Sequence, residues 1–551
     1  MRGSQLVLDF VHRSSYRMVA TVLILLTACL LAGCAADAPW PSQPAAIWGP
    51  PQSPQAVVWQ PDRGQRSQYL QVYRDGIKRA LYYSAKGDGQ FEELADLDQV
   101  DIRTVRHVFV MLDGVPFKLV DQLYREGHFR LFYPPARMIA PFPSVTDVSY
   151  SNMFQIPGKS AYESLIYDPP GNKMYSPTAM YLSGANEFWS SRLDYRQRLW
   201  LDGVSYMLPG YAARREFRAM FGRARDVLRK CPDQQNVLVY SISTDAAAHM
   251  VGWQRACELL VELDGYIERL MYQNKGQIGV VMFADHGNNF QANCGRVPIE
   301  NVIGKLGLTT IHERGFKKPG EVLVPRYGLV SLVQMFCQTD QDRQRIIPAL
   351  LATDGVEHAM WRAGDAVELA GRDGQARICC RVENTPAGRE EFFSYTPAKG
   401  DPLQLLPLLA PLPSRRFEGS ETPFYSAADL LQATANHTWP DPLWRIWHGL
   451  TDQTAVVPDV AVSLSPGWYY GSPGLDQWTH LNGTHGSLRD VDTVSFFAST
   501  MFAPPPVMRT VDFTPVINQH FDWVPPVDAP SCYRLDDYFK VKDVVGRQHL
   551  K

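Results

Sequence analysis

The sequence predicts an α/β protein with a doubly wound, mostly parallel sheet flanked by helices, a cap region and a small α+β insertion. Three observations carry this expectation. First, four apolar runs, Val105–Leu112, Asn236–Ser243, Ile278–Ala284 and Thr493–Ser499, are rich in Val, Ile, Phe or Tyr and too short for ordinary helices. Parallel strands buried on both faces have this texture. Second, Ala256, Leu259, Leu260, Leu263, Ile267, Leu270 and Met271 recur with the helical period between the second and third runs. Strand, helix, strand is the repeating unit of such a sheet. Third, acidic or imidazole residues follow three of the runs directly, where open α/β sheets bind their ligands.

The chain has 551 residues, 45% of them hydrophobic and 20% charged, enough for a large core in one domain with insertions or in two. A net charge of −3 gives no basic surface for a nucleic-acid duplex, and none is expected to bind.

In chain order, residues 1–34 read as an export signal. Arg13 and Arg17 precede an apolar stretch over 18–34 that ends on small residues. Leu31-Ala32-Gly33-Cys34 resembles the bacterial lipobox. That resemblance implies cleavage before Cys34, acylation of its thiol and, with Ala35 rather than Asp following, an outer-membrane anchor facing the periplasm. Residues 35–100 are expected to be a tether and lead-in, Pro-, Ala- and Gln-rich at the start. The first part of the core spans 101–300, with a Tyr-, Pro- and Gly-rich cap within 155–230. Tyr211–Lys230 reads as an Arg-rich helix, either a solvated face beside Phe217, Met220 and Phe221 or a basic surface facing a membrane. The small insertion spans 301–475, with a hairpin around Asp373-Gly374. The core resumes over 476–551. Nine cysteines are present; with Cys29 leaving in the signal and Cys34 acylated, seven remain and at least one stays unpaired.

The chemistry concentrates in few places. Asp113 ends the first run; a lone Asp there is as often a helix cap. Asp245 and His249 stand four apart, on one face of a helical turn after the second run. Asp285 and His286 follow the third, and Gly287 permits the sharp turn that converging both on one ion requires. His485, flanked by Gly483 and Gly486, is preferred over His480 in the same loop. Thr146 closes a Pro-Ser-Val-Thr turn, where it serves equally as a helix N-cap, and Ser144 and Ser149 are its neighbouring hydroxyls. Carboxylates and imidazoles in this mixture suit zinc or a similar divalent ion.

Taken together, Leu-Asp113-Gly, Phe142-Pro-Ser-Val-Thr146, Asp245-x-x-x-His249-x-x-Gly252, Ala-Asp285-His286-Gly287 and Gly483-Thr-His485-Gly resemble the alkaline phosphatase superfamily, and within it the type I phosphodiesterase and nucleotide pyrophosphatase branch. The resemblance covers roughly residues 105–155, 236–290 and 480–500. It implies two divalent cations, zinc first with manganese or iron able to replace it. Asp113, Thr146, Asp285 and His286 would hold one; Asp245, His249 and His485 would hold the other. It further implies a phosphate-ester substrate and a phospho-threonine formed on Thr146. The branch usually reads Thr-Phe-Pro-Asn, the Asn contacting the phosphoryl group. Here Ser149 takes the place of that Asn, and Asp147 beside the nucleophile favours a diester over a more highly charged monoester. A phosphomonoesterase, a lipid headgroup transferase and a non-catalytic lipoprotein are the alternatives on this scaffold.

Overall fold

A computed structural model describes residues 43–525 except 61–65, 157–160, 163–164, 176–187, 191–192, 198–204, 292–294, 327, 386–387, 472–480 and 524. Cys34 and the export signal lie outside the described residues, as does His480. Among the described residues no helix is long and apolar enough to cross a membrane. Cys231, Cys257, Cys337, Cys379 and Cys380 are free thiols.

The core sheet has six strands. They are β1 Arg106–Leu112, β2 Ala136–Ile139, β3 Asn236–Ser241, β4 Ile278–Ala284, β5 Val494–Ser499 and β6 Val507–Arg509. Their order is β3-β1-β4-β5-β2-β6. The β3–β1, β1–β4 and β2–β6 pairs are parallel, whereas β5 runs antiparallel to both β4 and β2. Five strands therefore point one way, as expected. The fourth apolar run, taken as a parallel strand, points the other way. Its six residues are all buried, and burial on both faces leaves no trace of direction in the sequence.

Successive side chains leave a strand on opposite faces, so β1 feeds two cores. Val108, Val110 and Leu112 pack in one cluster with Leu119, Phe217 and Leu263. Phe109 and Met111 pack in another with Tyr150, Phe154 and Phe513. The helices are α1 Phe117–Arg125, α2 Thr146–Met153, α3 Pro209–Lys230, α4 Ser243–Met250 and α5 Trp253–Gln273. The apolar stripe expected of α5 is buried throughout. In α3, Phe217, Met220 and Phe221 are buried while Arg215, Arg218 and Arg229 are exposed, and Arg214 pairs with Glu262 at 2.5 Å.

Two expectations about the flanking regions are corrected. The lead-in over 35–100 holds a five-stranded antiparallel meander, Ala46–Trp48, Ala56–Trp59, Gln68–Arg74, Ile77–Ser84 and Glu92–Asp96. Its first strand is three residues long and exposed, too little apolar periodicity to read against a Pro-rich background. The meander docks on α5 through a buried Lys78–Glu268 ion pair and Gln71, whose amide donates to Glu268 at 2.6 Å. The insertion is not small either. Between β4 and β5 lies a nine-stranded sheet running from Thr309–Ile311 to Val460–Leu464. It contains the expected hairpin, Ala366–Gly371 with Gly374–Thr385. Its central strands, such as Val460–Leu464, are buried on both faces but only a few residues long, whereas Gly388–Gly400 mixes buried and exposed positions, so neither stands out as a long apolar run. Helix α6, Pro442–Gly449, packs between this sheet and the segment before Thr146. It approaches so closely that a Cβ on Gly449 would stand 2.5 Å from the Phe142 carbonyl oxygen.

Candidate metal centre

Five strand ends converge on one rim. Asp113 follows β1, α4 follows β3, and Asp285-His286 follows β4. The segment after β2 leads through Pro141 to Thr146 at the start of α2. Because β5 is reversed, its beginning lies where its neighbours end. The loop that carries His485 therefore reaches the same rim from the opposite chain direction.

The seven residues expected at the site fall into two adjoining groups. Ligand atoms of Asp113, Asp285 and His286 lie within 4.8 Å of one another, and so do those of Asp245, His249 and His485. All six residues are buried, whereas Thr146 is partly exposed. In the first group His286 Nε2 is 3.5 Å from Asp113 Oδ1 and 3.3 Å from Asp285 Oδ2. In the second, Asp245 Oδ1 is 3.2 Å from His249 Nε2 and 3.9 Å from His485 Nε2. The groups meet where the His286 and His485 rings stack at 3.8 Å between centroids. Thr146 Oγ1 is 3.3 Å from Asp113 Oδ1 and 3.2 Å from His286 Nε2. The N-cap of α2 is Val145, with no side-chain capping bond, so Thr146 is not spent on capping. Nor is Asp113 a helix cap: α1 starts after Pro116.

Each imidazole is held by its outer nitrogen. His249 Nδ1 donates to the Gly483 carbonyl at 2.8 Å, His286 Nδ1 to that of Gly287 at 2.8 Å, and His485 Nδ1 to that of Ser144 at 2.9 Å. A carbonyl only accepts, so each Nδ1 carries the proton, and in the neutral ring Nε2 keeps its lone pair. Backbone-held imidazoles of this kind are the usual support of metal-binding histidines. Burial and the neighbouring imidazoles push His485 down to about 3. Burial pushes His286 down to about 4, so both rings are neutral near pH 7. Burial, with the Asp245 charge, pushes Asp285 up to about 7, against hydrogen bonds that stabilise its charge. Burial and the charges of Asp285 and Asp245 raise Asp113 well above the carboxylate range. Burial would also raise Asp245, but the facing His249 charge outweighs it and holds Asp245 below the usual range; His249 is raised in return.

One carboxylate oxygen in each group, Asp285 Oδ2 and Asp245 Oδ1, is buried without a hydrogen bond. Asp285 Oδ2 faces the Nε2 lone pair of neutral His286 at 3.3 Å, and acceptor against acceptor in a buried space is costly unless a cation lies between them. Asp245 Oδ1 faces His249 Nε2 at 3.2 Å, where the raised imidazole and the carboxylate pair by charge. The donor set of three carboxylates, three imidazoles and a hydroxyl fits two divalent ions.

Sequence reasoning missed the residues that hold these ligands. The Tyr240 hydroxyl donates to Asp113 Oδ2, and the Tyr206 hydroxyl donates to Asp245 Oδ2 at 2.8 Å. Asn289 Nδ2 donates to Asp492 at 3.0 Å, and its Oδ1 accepts from Thr484 N at 3.2 Å, joining the His286 and His485 loops. Only Gly114 carries a sequence signal. Its φ is +66°, and a Cβ there would stand 2.6 Å from Asp245 Oδ1. Of the neighbouring hydroxyls, Ser144 is committed to Pro141 O, Ser487 O, Thr493 and Arg445. Ser149 is fully buried and its Oγ has no partner. Asp147 accepts from the Trp189 indole at 3.0 Å.

Among solved structures, the chain is similar to human ectonucleotide pyrophosphatase/phosphodiesterase 5, at 10% identity over 80% of this chain and 99% of that one, with a TM-score of 0.40. An inactive murine form of that protein in complex with AMP has the same identity, coverage and TM-score. Phosphonoacetate hydrolase from Sinorhizobium meliloti 1021, in complex with phosphonoacetate, is similar at 11% identity over 77% of this chain and 96% of that one, with a TM-score of 0.38. No protein-family model and no curated protein sequence matches the chain.

Proposed function

We propose that this protein is a phosphoric-ester hydrolase that uses two divalent cations and acts on a phosphodiester through Thr146. One observation carries the reading. A partly exposed hydroxyl lies within 3.3 Å of Asp113 and His286, next to two groups of buried ligands that each leave one carboxylate oxygen without a hydrogen bond.

Asp113, Asp285, His286 and Thr146 would hold one cation, and Asp245, His249 and His485 the other. Bound cations supply Lewis acidity that lowers the pKa of the Thr146 hydroxyl and offsets charge on the phosphoryl oxygens. Zinc suits the Asp/His donors; manganese and iron suit them less specifically. Thr146 Oγ gives its proton to solvent and attacks phosphorus, the bond to the leaving oxygen breaks, and that oxygen takes a proton from solvent as the alcohol departs. Water then cleaves the phospho-threonine, returning the hydroxyl to Thr146 and releasing the phosphoryl product. The start of α2 turns backbone N–H groups toward a phosphate bound at Thr146. Ser149, one turn further along with an unpartnered hydroxyl, is the residue we assign to bind a phosphoryl oxygen. The Trp189 indole engages Asp147, which leaves its charge in the vicinity as a bias toward a diester.

We also place the protein at the bacterial outer membrane, facing the periplasm and held by a lipid on Cys34. Mass spectrometry of the membrane-extracted N-terminus tests that placement. For the reaction, parent enzyme reconstituted with zinc is assayed on bis- and mono-(nitrophenyl) phosphate. Faster hydrolysis of the diester, lost on chelation and with Thr146→Ala, is the expected result. Preference for the monoester would replace the diester reading with a phosphomonoesterase. Chelation-insensitive hydrolysis would remove the two-cation reading.

A further inference from the structure

Arg445 is a buried cation that hydrogen-bonds the segments carrying Thr146 and His485, and the chemistry above does not use it. It is 0% exposed and sits on α6, in the inserted region. Among the described residues no carboxylate lies within ion-pair distance of it. The obvious candidate, Asp441, is taken by Arg509 at 2.5 and 3.0 Å. Arg445 instead donates to carbonyls and hydroxyls. Nη1 reaches Pro440 O at 3.2 Å and Leu488 O at 2.9 Å. Nη2 reaches Pro141 O at 3.4 Å, Ser144 Oγ at 3.1 Å, Ser487 O at 3.4 Å and Thr493 Oγ1 at 2.7 Å. Burial pushes its guanidinium down to about 9. All its hydrogen-bond partners are neutral; Asp441 and Asp492 act on it only through space, and an apolar side chain would fill the place without the cost of burying a charge.

What it spans gives the reason. Pro141 and Ser144 belong to the segment that presents Thr146. Ser487 and Leu488 follow His485 and Gly486. These two segments are more than 300 residues apart in sequence, and they touch where His485 Nδ1 donates to Ser144 O. We propose that Arg445 is a positioning residue by which the inserted region sets the Thr146 segment against the His485 segment, so that His485 Nε2 stays aimed at Asp245 and His249. A planar guanidinium spans two segments with one rigid group, which an ammonium does not. The metal part of this inference rests on the two-cation reading; the positioning part does not.

The test compares the full chain with Arg445→Lys by hydrogen exchange and by zinc titration. In the variant, peptides covering 141–149 and 484–492 are expected to exchange at least about tenfold faster together, while those covering 106–112 and 278–284 are unchanged. The second zinc equivalent is expected to bind roughly 10- to 100-fold more weakly, as when the support of a metal ligand is lost. The first equivalent is expected to bind as in the parent. Faster exchange confined to 440–450, or unchanged exchange in both site segments, overturns the proposal. Should Arg445→Lys not fold, Thr493→Val decides. It removes the shortest acceptor at the same volume and is expected to loosen the same two segments by a smaller factor; no change in either overturns the proposal. A parent protein that binds no zinc refutes the two-cation reading alone, because the exchange result stands without metal.

Discussion

Replacing Asp285 by Asn isolates the charge crowding that the two-cation reading depends on. In the metal-free fold, burial and the charge of Asp245 push Asp285 up to about 7. An unfolded chain holds Asp near 3.9. The folded value is the higher one, so the contribution of Asp285 to stability is fully present below pH 4 and is lost as pH rises through 7. The gap is about 3 pH units, and 1.36 kcal/mol for each gives about 4 kcal/mol. That is a large share of the 5–15 kcal/mol typical of a domain. His286 and His485, pushed down to about 4 and about 3, act in the opposite sense, since burying them neutral favours the fold more as pH rises toward 6.5. The parent's own pH profile therefore mixes the two effects, and the variant-minus-parent difference is the quantity to read. Urea unfolding in chelator is run at pH 4 and pH 8. Asp285→Asn is expected to gain on the parent by about 4 kcal/mol between those values, an order-of-magnitude figure for a site with three interacting carboxylates. With saturating zinc the gain of the variant at pH 8 is cancelled. At a thousand times its dissociation constant the ion adds about 4 kcal/mol to the parent, and the variant, lacking a ligand, gains far less. A difference that stays flat with pH would mean that the Asp285 carboxylate is solvated, and a solvated carboxylate creates no demand for a cation.

Three further outcomes are expected. Thr146→Ala is expected to lose on the order of 10³-fold or more in kcat/KM, while elemental analysis still finds both cations, since Thr146 is one donor among seven. Tyr240→Phe removes the hydroxyl that donates to Asp113; competition titration is expected to find zinc affinity reduced roughly 10- to 100-fold, with the circular dichroism spectrum unchanged. Lys78→Met leaves Glu268 charged and without its cation between the meander and α5, and denaturant unfolding is expected to report a loss of roughly 3–5 kcal/mol.

The sequence by itself determined the ingredients of this protein. Apolar runs of strand length marked β1, β3, β4 and β5, and the helical period marked α5, because full burial demands those compositions. Ligands directly after strands marked Asp113, Asp245, His249, Asp285 and His286, because strand ends are where a sheet exposes side chains to a cleft. Tertiary structure decided the rest. The reversal of β5 brings His485 to the rim, and strand direction leaves no signature in a run buried on both faces. The meander stayed hidden because half-exposed strands dilute the apolar signal, and the nine-stranded sheet because its buried strands are short and its longest strand is mixed. Tyr240, Tyr206, Asn289 and Arg445 are ordinary residues in their local sequence. Their hydrogen bonds to the ligands and loops cross 39 or more positions of chain, so only the closed fold creates the contacts that give them a role.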